Sequence, residues 1–396
     1  MYLLSISEDI FLFIAGFGLV QGVLLALLLY SYPKSDRAVN KFLALYIVCF
    51  SIVMAGPFLL QVISWKKSFF WAPFPLLAGP LMLFYIRSFK ETITWRKALP
   101  HCLFFFIYFF GTYWWLQYLG SKYPAAKEFP EEGFNSSLSF VFFGVRYGQL
   151  IIYYFLARRE WISYQKSIRQ LFSETSRINL DWVKWLINGY IFIILSSVVL
   201  FFLTVKYPQN FYLLYLISIA IAAPYIYIST YKGITQPTLW QKIKGEQKEK
   251  LEEQLHVTEG IEKNHKQQNQ KPGLSSDKIE EIISKATLVM EQEKLYQEPE
   301  LTLQNMADKI GFPSHQVSQA INDGLQKSFY DLVNGYRVEE AKRLLLDPKS
   351  RDYTILSVGF EAGFNSKTTF NTVFKKFTGL TPTEYRDKRR EMTAAL

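Results

Sequence analysis

Cysteine and histidine are scarce in this sequence of 396 residues, which contains two cysteines and four histidines. Cys49 and Cys102 lie in separate apolar runs. Two isolated thiols in such runs form neither a disulfide framework nor a zinc site, and we interpret both as small buried hydrophobic residues. Metal-ligand clusters, nucleophile motifs and glycine-rich phosphate loops are also missing. The sequence therefore predicts a protein that is not an enzyme and that has no cofactor.

Further absences exclude other classes of membrane and signalling protein. Glu8 and Asp9 stand where a signal peptide has its basic region, so we expect no cleaved signal peptide. The apolar run at 211–231 contains no lysine, which excludes a light-driven rhodopsin with the usual retinal Schiff base. His256 is not followed by an ATP-binding glycine motif, and a sensor kinase is therefore not favoured.

The positive charge is unevenly distributed. The formal net charge is +10, but residues 1–237 carry 20 Lys and Arg against 10 Asp and Glu, whereas residues 274–396 carry 17 against 18. The basic excess lies in the apolar half of the chain. Overall charge is therefore no argument for nucleic-acid binding here, and it bears on membrane topology instead.

Long apolar runs in residues 1–237 have the length that spans the roughly 30 Å hydrocarbon core of a bilayer. We predict seven transmembrane helices, at about 10–30, 42–63, 69–87, 99–119, 138–157, 185–205 and 211–231. The loops after spans one, three and five hold 13 Lys and Arg, and the loops after spans two, four and six hold 5. Positive loops face the cytoplasm. This predicts a multi-pass protein with its N-terminus outside and residues 232–396 in the cytoplasm.

Arg146 lies well within the fifth predicted span, and Gln149 follows one turn later. An arginine inside a bilayer is costly and marks a functional site by default. It is a candidate for binding an anionic ligand or for signalling, with Gln149 as its neighbour. The alternatives are an arginine that extends to the outer interface and one that only braces the helix bundle.

Three domains follow from composition: a transmembrane sensor domain at 1–237, a linker at 238–276 and a terminal domain at 277–396. The linker alternates acidic and basic residues, which is typical of a solvated helix that frays into a flexible tether. A short dimeric coiled coil is the alternative, and it would make the chain a homodimer.

The terminal domain shows the pattern of paired short helices twice. Thr302 and Ser314 are predicted N-caps around a left-handed turn at Gly311. Thr354, and either Asn365 or Ser366, are the predicted caps around a second turn at Gly363. The predicted buried faces comprise Leu303, Met306, Ala307, Ile310, Val317, Ala320 and Ile321 in the first unit, and Ile355, Val358, Gly359, Ala362, Phe370, Val373, Phe374 and Phe377 in the second. Each pair is a helix-turn-helix. The joining helix is predicted to bury Phe329, Leu332, Val333, Tyr336, Ala341, Leu344 and Leu345.

Residues 301–386 resemble the tandem helix-turn-helix domain of the AraC family of transcription regulators. The matching positions are Met306-Ala307, Gly311-Phe312, Arg337, Ala341, Leu344-Leu345, Gly363-Phe364, Phe370, Lys375 to Phe377 and the closing Gly379, Pro382, Tyr385 and Arg386. Gly359 departs from the alanine usual in the family, which keeps a close helix approach at a cost of about 1 kcal/mol in helix propensity. The whole layout is similar to membrane-bound AraC-type regulators of Bacteroidetes-like bacteria.

The resemblance implies double-stranded DNA as partner, read by the second helix of each unit. It places base-facing side chains at His315, Ser318, Gln319, Lys367, Thr368, Asn371 and Thr372. Gln and Asn pair with adenine, and Ser or Thr contacts several bases. Lys375 and Lys376 are placed for phosphates, as are Arg386 and Lys388 to Arg390. The alternative is that these side chains form an ordinary solvated helix face.

Together these features predict an all-α protein, with a seven-helix transmembrane bundle and a cytoplasmic two-unit helix-turn-helix domain. The expected function is a one-component regulator in the bacterial cytoplasmic membrane, in contact with the lipid bilayer, that senses an unknown small-molecule or protein signal. The alternative is a transporter-like membrane protein with a regulatory cytoplasmic domain.

Overall fold

The computed structural model describes residues 8–32, 37–63, 65–124, 137–175, 178, 180–235, 274–347 and 353–394. The chain divides into two compact units, one formed by Met1–Ile162 with Leu180–Lys244 and the other by Ser163–Asn179 with Gly245–Leu396. Within the described ranges every named element is an α-helix or a 3₁₀ helix, so the all-α prediction is confirmed. The predicted linker lies outside these ranges except for its last residues, 274–276.

The first unit contains the long apolar helices. They are α1 (Glu8–Ser31), α2 (Arg37–Met54), α3 (Gly56–Ile63), α4 (Pro75–Arg87), α5 (Trp95–Lys122), α6 (Ser137–Leu171), α7 (Asp181–Lys206) and α8 (Phe211–Thr235). Helix α6 begins in this unit, and its last residues belong to the other unit. Short 3₁₀ helices occur at Trp65–Phe70 and Pro208–Asn210.

Six of these helices are long and apolar enough to cross a membrane, by length and composition: α1, α2, α5, α6, α7 and α8. Many of their large apolar side chains are exposed on the outside of the unit, among them Phe13, Trp114 and Phe155. Soluble proteins rarely expose so much contiguous apolar surface. The surface of this unit is therefore of the kind that lipid covers.

Two predicted spans differ from the observed helices. The run at 69–87 is α-helical only over Pro75–Arg87, 13 residues long, and it follows a 3₁₀ helix. Thirteen residues reach about 20 Å, which is short of the hydrocarbon core. The run at 42–63 is divided at Ala55 into α2 and α3, next to the Gly56-Pro57 pair. A seventh complete crossing remains a prediction.

Tyrosine side chains form the polar part of the core of the first unit. The hydroxyls of Tyr46 and Tyr225 are 2.5 Å apart, and Tyr225 donates to the carbonyl of Leu186 at 2.9 Å. A Cβ added at Gly189 would lie 2.5 Å from the Tyr225 ring, so this position requires glycine. Because buried hydroxyls are costly when unpaired, this network fixes α2, α7 and α8 against one another.

The second unit is built from helices of 7 to 18 residues. They are α9 (Ser276–Glu291), α10 (Leu303–Ile310), α11 (Ser314–Leu325), α12 (Phe329–Leu346), α13 (Ile355–Glu361), α14 (Lys367–Thr378) and α15 (Pro382–Ala394), with a 3₁₀ turn at Leu295–Gln297. The long helix α12 packs against α11 on one side and α13, α14 and α15 on the other. It therefore joins the two halves.

The predicted buried faces of this unit are largely confirmed, with three corrections, of which one is that Ile355 is only partly buried against the core. Phe370 and Phe374 are fully buried, as are Val317 and Ala320. Phe377 is 41% exposed, because it lies at the end of α14 beyond the core that covers Phe370 and Phe374. Tyr336 is only half-buried, and its ring stacks on Tyr296 at a centroid distance of 5.8 Å.

Three glycines of the second unit offer a graded test of this packing. A Cβ at Gly363, where φ is +93°, would lie 2.5 Å from the carbonyl oxygen of Tyr296. A Cβ at Gly359 would lie 2.7 Å from the ring of Phe370, whereas a Cβ at Gly311, at φ +74°, meets nothing within 4 Å. Gly359 therefore tests close packing alone, and Gly311 tests backbone strain alone.

We expect Gly363→Ala to cost at least about 2 kcal/mol of unfolding free energy, because strain and a backbone clash add. Gly311→Ala carries strain alone and should cost about 1 kcal/mol. Gly359→Ala should also cost about 1 kcal/mol, since overpacking outweighs the gain in helix propensity. Hydrogen exchange of the α12 amides in the purified full chain measures all three. Equal protection in Gly363→Ala and Gly311→Ala would contradict the close approach at Gly363.

Candidate nucleic-acid interface

Helices α10 and α11 form the first helix-turn-helix. The Oγ1 atom of Thr302 accepts from the amide of Asn305 at 3.1 Å, and the Asn305 side chain accepts from the Thr302 amide at 3.0 Å, which completes a capping box. Gly311 ends α10 at φ +74°, and its amide donates to Ala307. The predicted Thr302 cap and Gly311 turn are confirmed. The predicted cap at Ser314 is wrong, since α11 begins there and Pro313 occupies the cap position.

Helices α13 and α14 form the second helix-turn-helix. The side chains of Thr354 and Ser366 accept from the amides of Ser357 at 3.0 Å and Thr369 at 3.1 Å, and Gly363 forms the turn. Of the two predicted alternatives for the α14 cap, the structure selects Ser366. Side-chain caps fix the first turn of a helix. The start of α14 is therefore set by its own sequence.

A capping box also starts α15. The amide of Thr381 donates to Glu384 Oε2 at 2.7 Å, and the Glu384 amide donates to Thr381 Oγ1 at 3.3 Å. Hydrogen bonding to the backbone of Thr381 lowers the pKa of the Glu384 carboxyl. The ionised carboxylate also suits the positive end of the helix dipole.

The face of α11 predicted to read bases is partly available. His315 is exposed and Gln319, one turn later, is partly exposed on the same side. Ser318 departs from the prediction because it is only 6% exposed, on the inner side next to Val317. A buried hydroxyl cannot reach a base edge without a rearrangement of the helix. The reading surface of α11 therefore centres on His315 and Gln319.

The predicted face of α14 is solvent-facing throughout. Lys367, Thr368, Thr372 and Lys375 are exposed, and Asn371 is partly exposed. They lie opposite Phe370 and Phe374, which are fully buried. A 12-residue helix with one packed side and one polar side is the form that enters a major groove. Their contacts with bases remain a prediction.

Lys376 is engaged within the fold. Its Nζ atom lies 2.7 Å from Asp331 Oδ1 on α12 and 5.7 Å from the centroid of the Tyr330 ring. Burial opposes ionisation of Asp331, but hydrogen bonds from Lys376 and Ser328 lower the pKa of that carboxyl below its usual value. The stability from this pairing is present above the usual pKa of an aspartate and is lost as pH falls through the lowered one. Lys376 must exchange this partner to contact a phosphate.

Arg337 on α12 is the largest fully buried side chain of the second unit. Its Nε donates to the carbonyl of Tyr296 at 2.8 Å, and its Nη2 donates to the carbonyl of Glu298 at 2.6 Å and to Ser173 Oγ at 3.2 Å. Its guanidinium lies over the Phe364 ring at 5.8 Å. Burial lowers the pKa of Arg337 to about 10, so it remains charged at neutral pH. Together with Asn334 and Ser173, these groups form the Arg337 cluster.

Sequence reasoning missed the role of the Arg337 cluster, although Arg337 itself was part of the resemblance. Asn334 is fully buried and donates to the carbonyl of Ser173 at 2.9 Å. The signal available in the sequence is the placement of Asn334 and Arg337, three residues apart, on the apolar side of a helix. Their partner Ser173 lies more than 160 residues earlier and gives no local signal.

Arg146 and Gln149 lie one turn apart on α6 in the first unit. Gln149 is buried, and its Nε2 atom donates to the carbonyl of Leu76 at 2.9 Å. Arg146 is partly buried, with its guanidinium 5.6 Å from the centroid of the Tyr147 ring. Its Nε atom is buried without a hydrogen-bond partner. The pair therefore keeps unused polar capacity within an apolar helix bundle.

Two helix-turn-helix units are joined by α12 in the second unit. A family model described as a helix-turn-helix domain matches residues 306–388. Uncharacterized HTH-type transcriptional regulators of Staphylococcus aureus strains COL and MRSA252 are each 28% identical over 120 residues, which is 30% of this chain. The match spans only 15% of those relatives' length. No solved structure matches the chain. The C-terminal domain is thus similar to the helix-turn-helix domains of transcription regulators.

Substitutions on the reading faces test the DNA contacts. We expect Gln319→Ala and Thr372→Ala each to weaken binding to the preferred DNA sequence by roughly 1–3 kcal/mol, because each removes a base contact. Gln292→Ala is the matched control, since Gln292 is exposed at the end of α9. Fluorescence anisotropy with preferred and scrambled duplexes measures the effect. Sequence preference unchanged in both variants would show that other faces read DNA.

Substitution of Arg337 tests the buried cluster. Arg337→Lys keeps the charge but removes the planar fork, and we expect a loss of about 3–5 kcal/mol because buried carbonyls lose their donors. Arg343→Lys is the control, since that side chain is exposed on the same helix. Pulse proteolysis of the second unit in the purified full chain compares the two variants. A stability equal to that of the control would refute the role of Arg337.

Proposed function

We propose that the chain is a membrane-anchored, one-component transcription regulator. In this proposal residues 1–237 lie in the cytoplasmic membrane and sense a signal, and residues 277–396 bind operator DNA through α11 and α14. The observation that carries it is the presence, in one chain, of six helices of membrane-spanning length and a helix-turn-helix domain.

The exposed surface of the first unit supports membrane anchoring. Large apolar side chains such as Leu24, Phe110 and Val199 are more than half exposed along helices of 24 to 28 residues. Leaving this much apolar surface in water is unfavourable, and lipid tails remove that cost. With the seven crossings predicted from the sequence, the excess of Lys and Arg in the loops after spans one, three and five supports a cytoplasmic position for the DNA-binding domain.

Arg146 and Gln149 are the proposed site where the signal acts. A cation in an apolar bundle is costly unless a partner compensates it, and its Nε atom is buried and unpaired. Arg146 suits an anionic group such as a carboxylate, and Gln149 Oε1 suits a hydroxyl or amino group of the same molecule, which donates a hydrogen bond to it. Signal binding then changes the packing of α6 against its neighbours.

The near-neutral DNA-binding domain supports a role for anchoring in DNA affinity. Residues 274–396 carry 17 basic and 18 acidic side chains, so non-specific attraction to phosphates is weak. Clustering of tethered chains at a membrane raises the effective concentration of a domain near its second site. A homodimer, or several chains on adjacent half-sites, fits this requirement.

A soluble fragment of residues 274–396 tests the sensing proposal against the full chain. We expect the fragment to occupy the same operators at a level independent of growth condition, because it lacks the sensor, whereas occupancy by the full chain changes with condition. Genome-wide crosslinking in cells measures both. A fragment that keeps the full condition dependence would contradict sensing through residues 1–237.

Variants of Arg146 refine the same experiment within the full chain. Arg146→Gln is expected to abolish the response to condition and to leave DNA affinity of the purified chain unchanged, because the residue lies outside the DNA-binding domain. Arg158→Gln is the matched control, since Arg158 follows on the same helix and lies at its exposed side. A normal response in Arg146→Gln would remove this site from the proposal.

A further inference from the structure

A segment that the sequence places between two apolar helices belongs to the DNA-binding unit. Residues 163–179 lie between the apolar parts of α6 and α7 in the sequence, yet they group with Gly245–Leu396. Helix α6 ends at Leu171, and Phe172 then forms an antiparallel bridge with Thr302, the residue that caps α10. We call residues 169–174 the docking segment.

Ser173 is the centre of the docking segment and is fully buried. Its amide and its Oγ–H both donate to the carbonyl of Leu301, at 3.2 and 2.7 Å. Its carbonyl accepts from Asn334 at 2.9 Å, and its Oγ accepts from Arg337 at 3.2 Å. Every polar group of Ser173 is therefore bound by the DNA-binding domain.

The surface that receives Ser173 is specific for an extended backbone carrying a small hydroxyl. It presents one backbone acceptor from Leu301 and two side-chain donors, from Asn334 and Arg337, at hydrogen-bonding distance. A buried cation that loses a partner bears a large desolvation cost. Opening of the contact would therefore expose all of these hydrogen-bonding groups to water together.

Two further residues of the docking segment, Glu174 and Arg169, connect it to the second reading helix, α14. Glu174 Oε1 accepts from Thr369 Oγ1 at 3.3 Å, and Thr369 lies in the first turn of α14. The guanidinium of Arg169 lies 5.6 Å from the ring of Tyr330, which also contacts Lys376 of α14. The segment thus contacts the N-terminal turn of the second reading helix and the α12 residue next to it.

The charge of Glu174 bears directly on DNA binding. The N-terminus of a helix attracts anions, and helix N-termini often bind DNA phosphates. A carboxylate bound at the first turn of α14 occupies this favourable position and repels phosphates that approach it. The docked segment consequently holds α14 in a state of lower DNA affinity.

We propose that the docking segment, residues 169–174, binds within its own chain and restrains the second reading helix. Ser173 is its anchor, and Glu174 is a positioning residue for α14. Because α6 ends in this segment, displacement of α6 reaches the DNA-binding domain through Ser173, in addition to any effect through the tether at 236–273. This coupling rests on the proposed function, while the restraint on α14 does not depend on membrane sensing.

The test uses the full chain in detergent and a short mixed-sequence DNA duplex as the probe. Glu174→Gln keeps the hydrogen-bond acceptor and removes the charge, and we expect it to bind the duplex roughly three- to tenfold more tightly at low salt. The gain should shrink as salt rises, because exposed charges are screened. Glu300→Gln is the matched control, since it removes one exposed negative charge from the same unit.

Ser173→Ala tests the anchor by a second readout. Loss of the hydroxyl should speed hydrogen exchange at the amide of residue 173 and at the amides of the first turn of α14. It should also raise DNA affinity, as Glu174→Gln does. Faster exchange both at residue 173 and in the first turn of α14 supports the proposed role of the docking segment. Unchanged exchange at α14 would overturn it, as would an affinity of Glu174→Gln equal to that of Glu300→Gln.

The two proposals fail in distinguishable ways. A wild-type chain that responds to no condition in cells contradicts the proposed sensing, yet the variants still report on the restraint of α14 in the purified chain. If the wild-type chain responds normally while both variants match their control, only the proposed restraint by the docking segment is overturned.

Discussion

The burial of Arg337 is the constraint on which the DNA-binding unit depends. A guanidinium taken out of water is destabilising by several kcal/mol unless its donors are paired, and this one finds its acceptors on separate stretches of chain. The carbonyls of Tyr296 and Glu298 fix the turn before α10, the Phe364 ring fixes the second turn, and Ser173 brings in the segment after α6. One buried charge therefore holds both helix-turn-helix units at a set spacing. That spacing matters because two reading helices must meet successive turns of the same DNA groove.

The close packing around this cluster predicts that the second helix-turn-helix tolerates little change at its turn. Gly363 lies against the backbone of Tyr296, whose carbonyl is also an acceptor for Arg337. The turn of the second helix-turn-helix, the helix α12 and the segment before the first helix-turn-helix are thus in mutual contact. A displacement of Ser173 changes the hydrogen bonds of Arg337, and through them the setting of both turns. Under the proposed docking, the domain responds to a displacement of residue 173 in addition to what happens at the ends of its own sequence.

Much of this architecture follows from local sequence, and the rest depends on distant partners. The caps at Thr302, Thr354 and Ser366 and the turns at Gly311 and Gly363 are predictable because each needs only residues within one turn. Phe377 was misplaced because helical periodicity extends a stripe beyond the core that covers it. Ser318 was misplaced because its polar type favours a surface position that packing overrides. The span predicted at 69–87 was too long, since the helix is Pro75–Arg87, because hydrophobicity alone does not show where a helix begins. The partnership of Ser173 with Arg337 joins residues 164 positions apart, and no periodicity reveals it.

The central claim is that one chain both resides in the membrane and binds specific DNA. The most direct measurement is to crosslink cells, isolate the membrane fraction, recover the chain from it and sequence the attached DNA. The account predicts discrete chromosomal sites bound to membrane-derived chain, and loss of those sites in the Gln319→Ala, Thr372→Ala double variant. Recovery of the chain in the soluble fraction, or of membrane-derived chain with DNA that shows no preferred sites, would contradict it.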